Sequence, residues 1–237
     1  MEDKELETWF EKLTGENKKQ VDPPEKSVAP RQRKKNQDGE PWHKQVLLYL
    51  HDIVYLLSAV ILVLLLCFRV VVVSGTSMNT TLLDGDYLLL LGNVFYQNPE
   101  YGDVIVASKD SFENGSPIVK RVIATGGQWV DIDFEAGIVY VGDSMNDMKP
   151  LDEPYTYTPT NVQEGVAFPV QVPEGCLFVM GDNRNGSKDS RNPDIGMVDK
   201  REVLGKVIFL FLPGTNGTDI YGNPKQPRDF SRIGVVN

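Results

Sequence analysis

From Ile53 to Val73 the chain reads IVYLLSAVILVLLLCFRVVVV, sixteen residues without a charge, then Arg69, then four valines. The first part is apolar on every face of a helix and the last is β-branched, so the stretch predicts a membrane helix followed by a strand. Val46 to Phe68 contains neither Pro nor Gly. As a helix it would be about 35 Å long at ~1.5 Å per residue, enough to cross a hydrocarbon core of ~30 Å. The charge-free part alone reaches about 24 Å, which leaves His51 and Asp52 at one interface, where polar side chains meet water.

The flanks set the orientation. Arg31, Arg33, Lys34, Lys35 and Lys44 precede the helix, whereas beyond it Arg69 stands alone until Lys109. By the positive-inside rule the N-terminus is cytoplasmic and the large C-terminal part lies outside. The run begins late and is followed by valines where a small-residue cleavage site would be needed, so it reads as an uncleaved signal anchor. The organisation expected is a cytoplasmic tail over 1–45, an anchor over 46–68 and an extracytoplasmic domain over 69–237.

The chain has 237 residues and a net charge of −9. Residues 1–45 hold 10 basic and 10 acidic residues, so the whole excess falls on 46–237, where 14 basic face 23 acidic residues. An acidic body of this kind excludes nucleic acid as the expected partner. Two cysteines, Cys67 and Cys176, make no disulfide framework. No metal-ligand cluster is legible, with His43 and His51 the only histidines, and no cofactor is expected. In the tail, Leu6, Trp9, Phe10 and Leu13 fall at helical spacing before Gly15 and predict a short, marginal helix.

Beyond the anchor the signals are those of strands. Val70–Val73, Tyr87–Leu91, Val104–Ala107, Ile118–Ala124, Trp129–Asp133, Ile138–Val141, Cys176–Met180 and Val203–Leu210 are short apolar runs separated by Gly and Pro turns, with Asp84-Gly85 a hairpin signal. No amphipathic helix of ordinary length follows residue 70. The expected fold is mainly β, an antiparallel β-barrel-like domain on one N-terminal transmembrane helix. Pro150, Pro154, Pro159 and Pro169 break the rhythm, so about 128–175 reads as an inserted hairpin and loop region.

Ser74-Gly75-Thr76-Ser77-Met78-Asn79-Thr80-Thr81-Leu82 sets hydroxyls among small residues directly after the valines. Ser77 is the candidate nucleophile. Both histidines lie on the anchor side, which removes a serine–histidine arrangement and leaves a neutral lysine as the plausible base. Lys120, in Ile118-Val119-Lys120-Arg121-Val122-Ile123, is a lysine inside an apolar strand pattern. Burial there would bring its pKa from about 10.4 to around 8. Alternation turns Arg121 to the opposite face, toward a carboxylate elsewhere. Gly181 to Arg191, reading GDNRNGSKDSR, is a polar loop leaving the apolar strand Leu177–Met180, a place where a rigid scaffold holds site residues.

These stretches together resemble the type I signal peptidases of the serine-lysine class. The resemblance runs in order from Phe68 to Pro213, through the serine segment, Tyr101-Gly102-Asp103-Val104-Ile105-Val106, Lys120-Arg121-Val122-Ile123, the loop 181–191, Gly196-Met197-Val198 and Leu204-Gly205-Lys206-Val207. It implies Ser77 as nucleophile and Lys120 as general base, with Ser187 orienting the lysine amine. Asp182 and Asp189 would hold Arg121 and Arg191 in supporting ion pairs, and the Ser77 N–H would donate to the oxyanion. Relatives often place a second donor hydroxyl where Gly75 stands here, so that donor is unassigned, with Ser74 a guess. Thr80 stands where proline is usual, and Ala124-Thr125-Gly126-Gly127-Gln128 replaces a proline-containing turn. Lys120, where the endoplasmic-reticulum form has histidine, points to the bacterial type.

The activity implied is removal of N-terminal signal peptides from secreted preproteins through an acyl-enzyme, cutting after small residues. Val73, Met78 and Val119 are candidate pocket walls. From Phe68 to Ser77 is nine residues, at most about 30 Å when extended, so the site works close to the outer surface of a bacterial cell membrane. Expected partners are preproteins, membrane lipid and, as a candidate, the protein translocation machinery. The alternative is a catalytically impaired, membrane-anchored adaptor of that machinery.

Overall fold

Nothing in Trp42–Cys67 breaks a helix, and the computed structural model shows α1 over those residues with none of its side chains buried. It is long and apolar enough to cross a membrane. The structure describes residue 12 and residues 42–109, 111–112, 115–217 and 225–236. The expected tail helix around Trp9 and the basic cluster at 31–35 lie outside the described residues. The chain divides into two units, Met1–Leu50 and His51–Asn237.

The β-branched run takes over at once. β1 (Phe68–Val72) begins at the residue after the last of α1 and pairs antiparallel with β2 (Tyr87–Gly92), Phe68 opposite Leu91 and Val72 opposite Tyr87. Val73 carries the pairing one step further through bonds with Gly85 and Asp86. Residues 74–84 are therefore a loop lifted out of a continuing hairpin, and Asp84-Gly85 is its closing turn.

The other strands are β3 (Val104–Ser108), β4 (Pro117–Thr125), β5 (Trp129–Asp133), β6 (Ile138–Gly142), β7 (Lys149–Pro150), β8 (Val170–Gln171), β9 (Cys176–Met180), β10 (Val198–Asp199), β11 (Val203–Leu212) and β12 (Gly234–Val235). The larger sheet runs β1-β2-β11-β3-β4-β9-β10, with β12 added on β11. The smaller runs β7-β6-β5-β8 and comes wholly from the segment expected as an insert. Every pairing described is antiparallel, as expected, and among the described residues the larger sheet is open, with β1 and β10 at its two ends.

β4 changes partner along its length. Residues 117–121 pair with β3 and 121–125 with β9, so Lys120 lies where β4 has only one neighbour and Arg121 where the second joins.

Three apolar clusters hold the sheets. Val73, Met78 and Leu82, from the serine stretch itself, pack with Leu88, Leu90, Val104, Val106, Val207 and Leu210. Ile105, Val122, Val179 and Val198 form a second cluster. In the third, Val130, Ile132 and Val139 of the smaller sheet pack on Ile123, Phe178 and Met180 of the larger one. The serine loop is thereby anchored by its own core residues.

Candidate active site

The loop 74–84 is shaped by Gly75 and Asp84. Gly75 takes φ +93°, a left-handed conformation that favours glycine, and its N–H donates to Asp84 Oδ1 at 2.7 Å. Met78 and Leu82 are fully buried, which leaves Ser77 half-buried between them and the surface.

Lys120 is 5% exposed. Its Nζ donates to Ser77 Oγ at 2.9 Å and to the Val119 carbonyl at 3.0 Å. Burial pushes the amine down to about 8, against the opposing charges of Asp189, Glu164 and Asp182. None of those carboxylates forms an ion pair with it among the described residues. A lysine so placed loses its proton around pH 8, well below the ordinary lysine range, and can then accept one from the hydroxyl beside it.

The loop after β9 closes over this pair. Asn183 donates from its main chain to the Ser77 carbonyl at 3.0 Å and from Nδ2 to the Thr76 carbonyl at 3.0 Å. Arg121 reaches Asp182 through Nε (2.8 Å) and Nη2 (2.7 Å), and Thr81 Oγ1 donates to the same carboxylate at 2.5 Å. Arg191 grips Asp189 in the same forked way, 2.8 Å at each oxygen, while the Gly181 N–H donates to Asp189 Oδ2 at 3.0 Å. Both expected arginine–carboxylate pairings are present, and all four side chains are buried. Ser187 is buried too, with its Oγ donating to the Lys188 carbonyl at 3.4 Å rather than to the lysine amine.

A third fork was not anticipated. Arg184, within the quoted loop but given no role from sequence, binds Glu153 at 2.7 and 2.5 Å and Thr160 Oγ1 at 3.0 Å. Tyr155 lies with its ring 4.0 Å from the Arg121 guanidinium carbon and donates from its hydroxyl to Glu153 Oε1 at 3.0 Å. The segment 151–160 thus straps the back of the loop. The only signal for it was an acidic and aromatic run, Glu153-Pro154-Tyr155, among prolines that read as irregular loop.

In front of the dyad is a cleft of about 620 Å³. Val73, Met78 and Val119, the expected pocket walls, all line it with Ser77 and Lys120, and so do Ser74 and Lys188. The cleft lies between β1 and residues 117–120 of β4, which among the described residues pair only with β2 and with β3 respectively. Two strand edges therefore border it.

The family model described as signal peptidase, peptidase S26, matches residues 46–212. The chain belongs to this signal peptidase family. Signal peptidase I of Bacillus licheniformis is 36% identical over 169 residues, covering 67% of this chain and 86% of the relative. The probable signal peptidase I-1 of Synechocystis is 34% identical over 174 residues, covering 69% and 83%. Signal peptidase I P of Bacillus subtilis subsp. natto is 35% identical over 169 residues, covering 67% and 86%. By family the chain is a serine endopeptidase, a hydrolase.

Proposed function

We propose that this chain removes signal peptides from secreted preproteins through a Ser77–Lys120 dyad. The observation that carries the reading is the 2.9 Å contact between Lys120 Nζ and Ser77 Oγ, made by a buried lysine whose amine is held down to about 8. Neutral Lys120 takes the hydroxyl proton as Ser77 Oγ attacks the scissile carbonyl. The protonated amine then hands that proton to the departing amino group, and an acyl ester remains on Ser77. Water attacks the ester with Lys120 again as base, which frees the signal peptide and restores the serine.

The Ser77 N–H makes no hydrogen bond among the described residues and serves as oxyanion donor in this reading; Ser74, in the cleft, is the candidate second. Gly75 is unsuited to that role, since its N–H is taken by Asp84. Ser187, whose Oγ donates to the Lys188 carbonyl in the structure, is assigned to orienting the lysine amine in this reading. Arg121–Asp182 and Arg191–Asp189 keep the loop in register behind it.

An extended substrate segment adds between the open edges of β1 and β4, its small side chains against Val73, Met78 and Val119. Residues 46–68 serve as the anchor in a bacterial cell membrane, with 1–45 cytoplasmic and 69–237 outside. Membrane lipid and the translocation machinery are then the neighbours of the site.

The test is cleavage of a membrane-inserted preprotein by the detergent-solubilised full-length chain, beside Ser77→Ala and Lys120→Ala. Cutting after a small residue, lost in both variants, supports the mechanism. Substantial cutting by both variants sinks it.

A further inference from the structure

The turn that carries Ser77 is fastened at two points. Asn79 N–H donates to the Thr76 carbonyl at 3.1 Å and Leu82 N–H to the Met78 carbonyl at 2.9 Å, so residues 76–82 form one compact turn with Ser77 near its start and Thr81 near its end. Consecutive residues of the loop after β9 take hold of these two positions. Asn183 N–H donates to the Ser77 carbonyl at 3.0 Å, and the hydroxyl of the half-buried Thr81 donates to Asp182 Oδ2 at 2.5 Å. Thr81 stands in the serine stretch with no role assigned to it from sequence.

Asp182 is also the partner of the strand that carries the lysine. The oxygen that accepts from Thr81 accepts from Arg121 Nη2 as well, at 2.7 Å, while Oδ1 accepts from Arg121 Nε at 2.8 Å. Arg121 follows Lys120 directly on β4, and its Nη1 donates to the Gly102 carbonyl at 2.7 Å, which ties the guanidinium to the segment before β3. One buried oxygen atom therefore joins the serine turn to the lysine strand. Hydrogen bonds to a buried carboxylate are short and strong, so the joint is stiff. Arg232 adds a separate hold: its Nη2 donates to the Thr81 carbonyl at 3.3 Å while the same guanidinium grips buried Asp86 at 2.9 and 2.6 Å. Asp86 belongs to the hairpin from which the serine loop rises, so this second hold ties the turn to its own hairpin and not to β4.

We propose that Thr81 is a positioning residue for the dyad: its hydroxyl, through the Asp182 oxygen it shares with Arg121, holds the serine turn at a fixed distance from Lys120. Asn183 fixes the Ser77 carbonyl but leaves the turn free to pivot about that one bond. Thr81, four residues on, supplies the second point that stops the pivot. The 2.9 Å contact between Lys120 Nζ and Ser77 Oγ is then set by the joint at Asp182 as much as by the two side chains themselves. A methyl in place of the hydroxyl fills the same space and leaves Asp182 with its arginine fork, so the buried ion pair survives while its link to the serine is lost. For catalysis the inference rests on the peptidase reading above: the hydroxyl must stay within hydrogen-bond reach of the base for the proton to pass as the attack proceeds.

The experiment uses the full-length chain in detergent micelles, as wild type, Thr81→Val, Thr81→Ser and, as control, Thr125→Val, which loses a threonine hydroxyl at the turn between β4 and β5. Two readouts are taken: hydrogen–deuterium exchange over residues 74–84 and 181–191, and kcat and KM for a membrane-inserted preprotein. Thr81→Val should exchange several times faster over both segments, as a turn released at one of its holds opens more often. Its kcat should fall by about tenfold or more with KM within about twofold, the cost of reacting groups displaced by a fraction of an ångström. Thr81→Ser keeps the hydroxyl and should return both readouts to wild type, and Thr125→Val should leave both unchanged. Thr81→Ala repeats the loss of the hydroxyl without the branched side chain, so a valine variant that fails to fold leaves the comparison intact. Unchanged exchange in the variants without the hydroxyl overturns the proposal, and so does a Thr81→Ser as impaired as Thr81→Val. Faster exchange with wild-type kcat overturns its consequence for catalysis. A wild type that cuts no preprotein sinks the peptidase reading alone, because the exchange still decides whether the Thr81 hydroxyl holds the serine turn.

Discussion

The main-chain N–H of Asn183 donates to the carbonyl oxygen of Ser77 at 3.0 Å, so the loop after β9 holds the serine by its backbone and leaves the hydroxyl to Lys120. Gly181 is the point of closest approach. A β-carbon there would overlap both that carbonyl and Ser187 Oγ. Gly181→Ala should force serine and lysine apart and lower kcat by about 100-fold, the cost of a displacement near ~1 Å. Preprotein cleavage by a variant that keeps its circular dichroism spectrum is the check; wild-type turnover would mean that the loop yields without moving the dyad.

The buried lysine sets the pH response. With the amine held down to about 8, kcat/KM should rise about tenfold per pH unit below that value and level off above it. A profile already flat from pH 6 would show that another group supplies the base.

The same burial works against stability, with a sign that can be tested. Lys120 drops from 10.5 to about 8 on folding, so between those values the unfolded chain holds a proton that the folded chain has lost. Its contribution to folding therefore improves as pH rises through that window, and below 8 the full penalty applies, about 3 kcal/mol at ~1.4 kcal/mol per pH unit. Lys120→Met should abolish cleavage and yet stabilise the protein at pH 7 by up to about 3 kcal/mol, with the gain shrinking as pH rises from 8 and nearly gone by pH 10. Urea unfolding at both pH values measures it, and a destabilised variant at pH 7 would refute the account.

Removing one partner of a buried fork is costly in the ordinary direction. Glu153→Gln strands the Arg184 guanidinium, whose side chain is 1% exposed, and should destabilise the protein by about 3 kcal/mol. Glu153→Gln with Arg184→Met removes the stranded charge and should recover most of the loss. Equal instability of single and double variants would assign the effect to packing by the strap.

Val119 has room in front of it and little behind. Val119→Trp should fill the cleft and lower kcat/KM for a preprotein more than about tenfold, with Tm little changed. Acylation of Ser77 by a small reagent should persist, since the dyad is untouched.

What the sequence made legible depended on length and period. Each apolar run expected as a strand beyond the anchor proved to be one, because alternation and β-branching leave a readable trace over four residues or more. The two-residue strands β7, β8, β10 and β12 carry no period at all and were missed. Ser77 and Lys120 could be singled out because a hydroxyl among small residues and a lysine among valines are locally anomalous. Arg184, Glu153 and Tyr155 are ordinary where they stand, and their meaning comes from contacts between residues as far as 34 positions apart, such as the ring of Tyr155 and Arg121.

One strand, β4, carries Lys120, the base in the proposed mechanism, and also offers a bare edge to the cleft over 117–120. For an extended substrate laid along that edge, the rung it occupies and its distance from the base are the same quantity. Sliding by one residue would carry the scissile bond about 3.3 Å from the hydroxyl and turn every side chain to the opposite face. Small residues at alternate positions then act as a register mark, and the cut is placed by counting rungs on a ladder whose scale is built into the enzyme's own backbone.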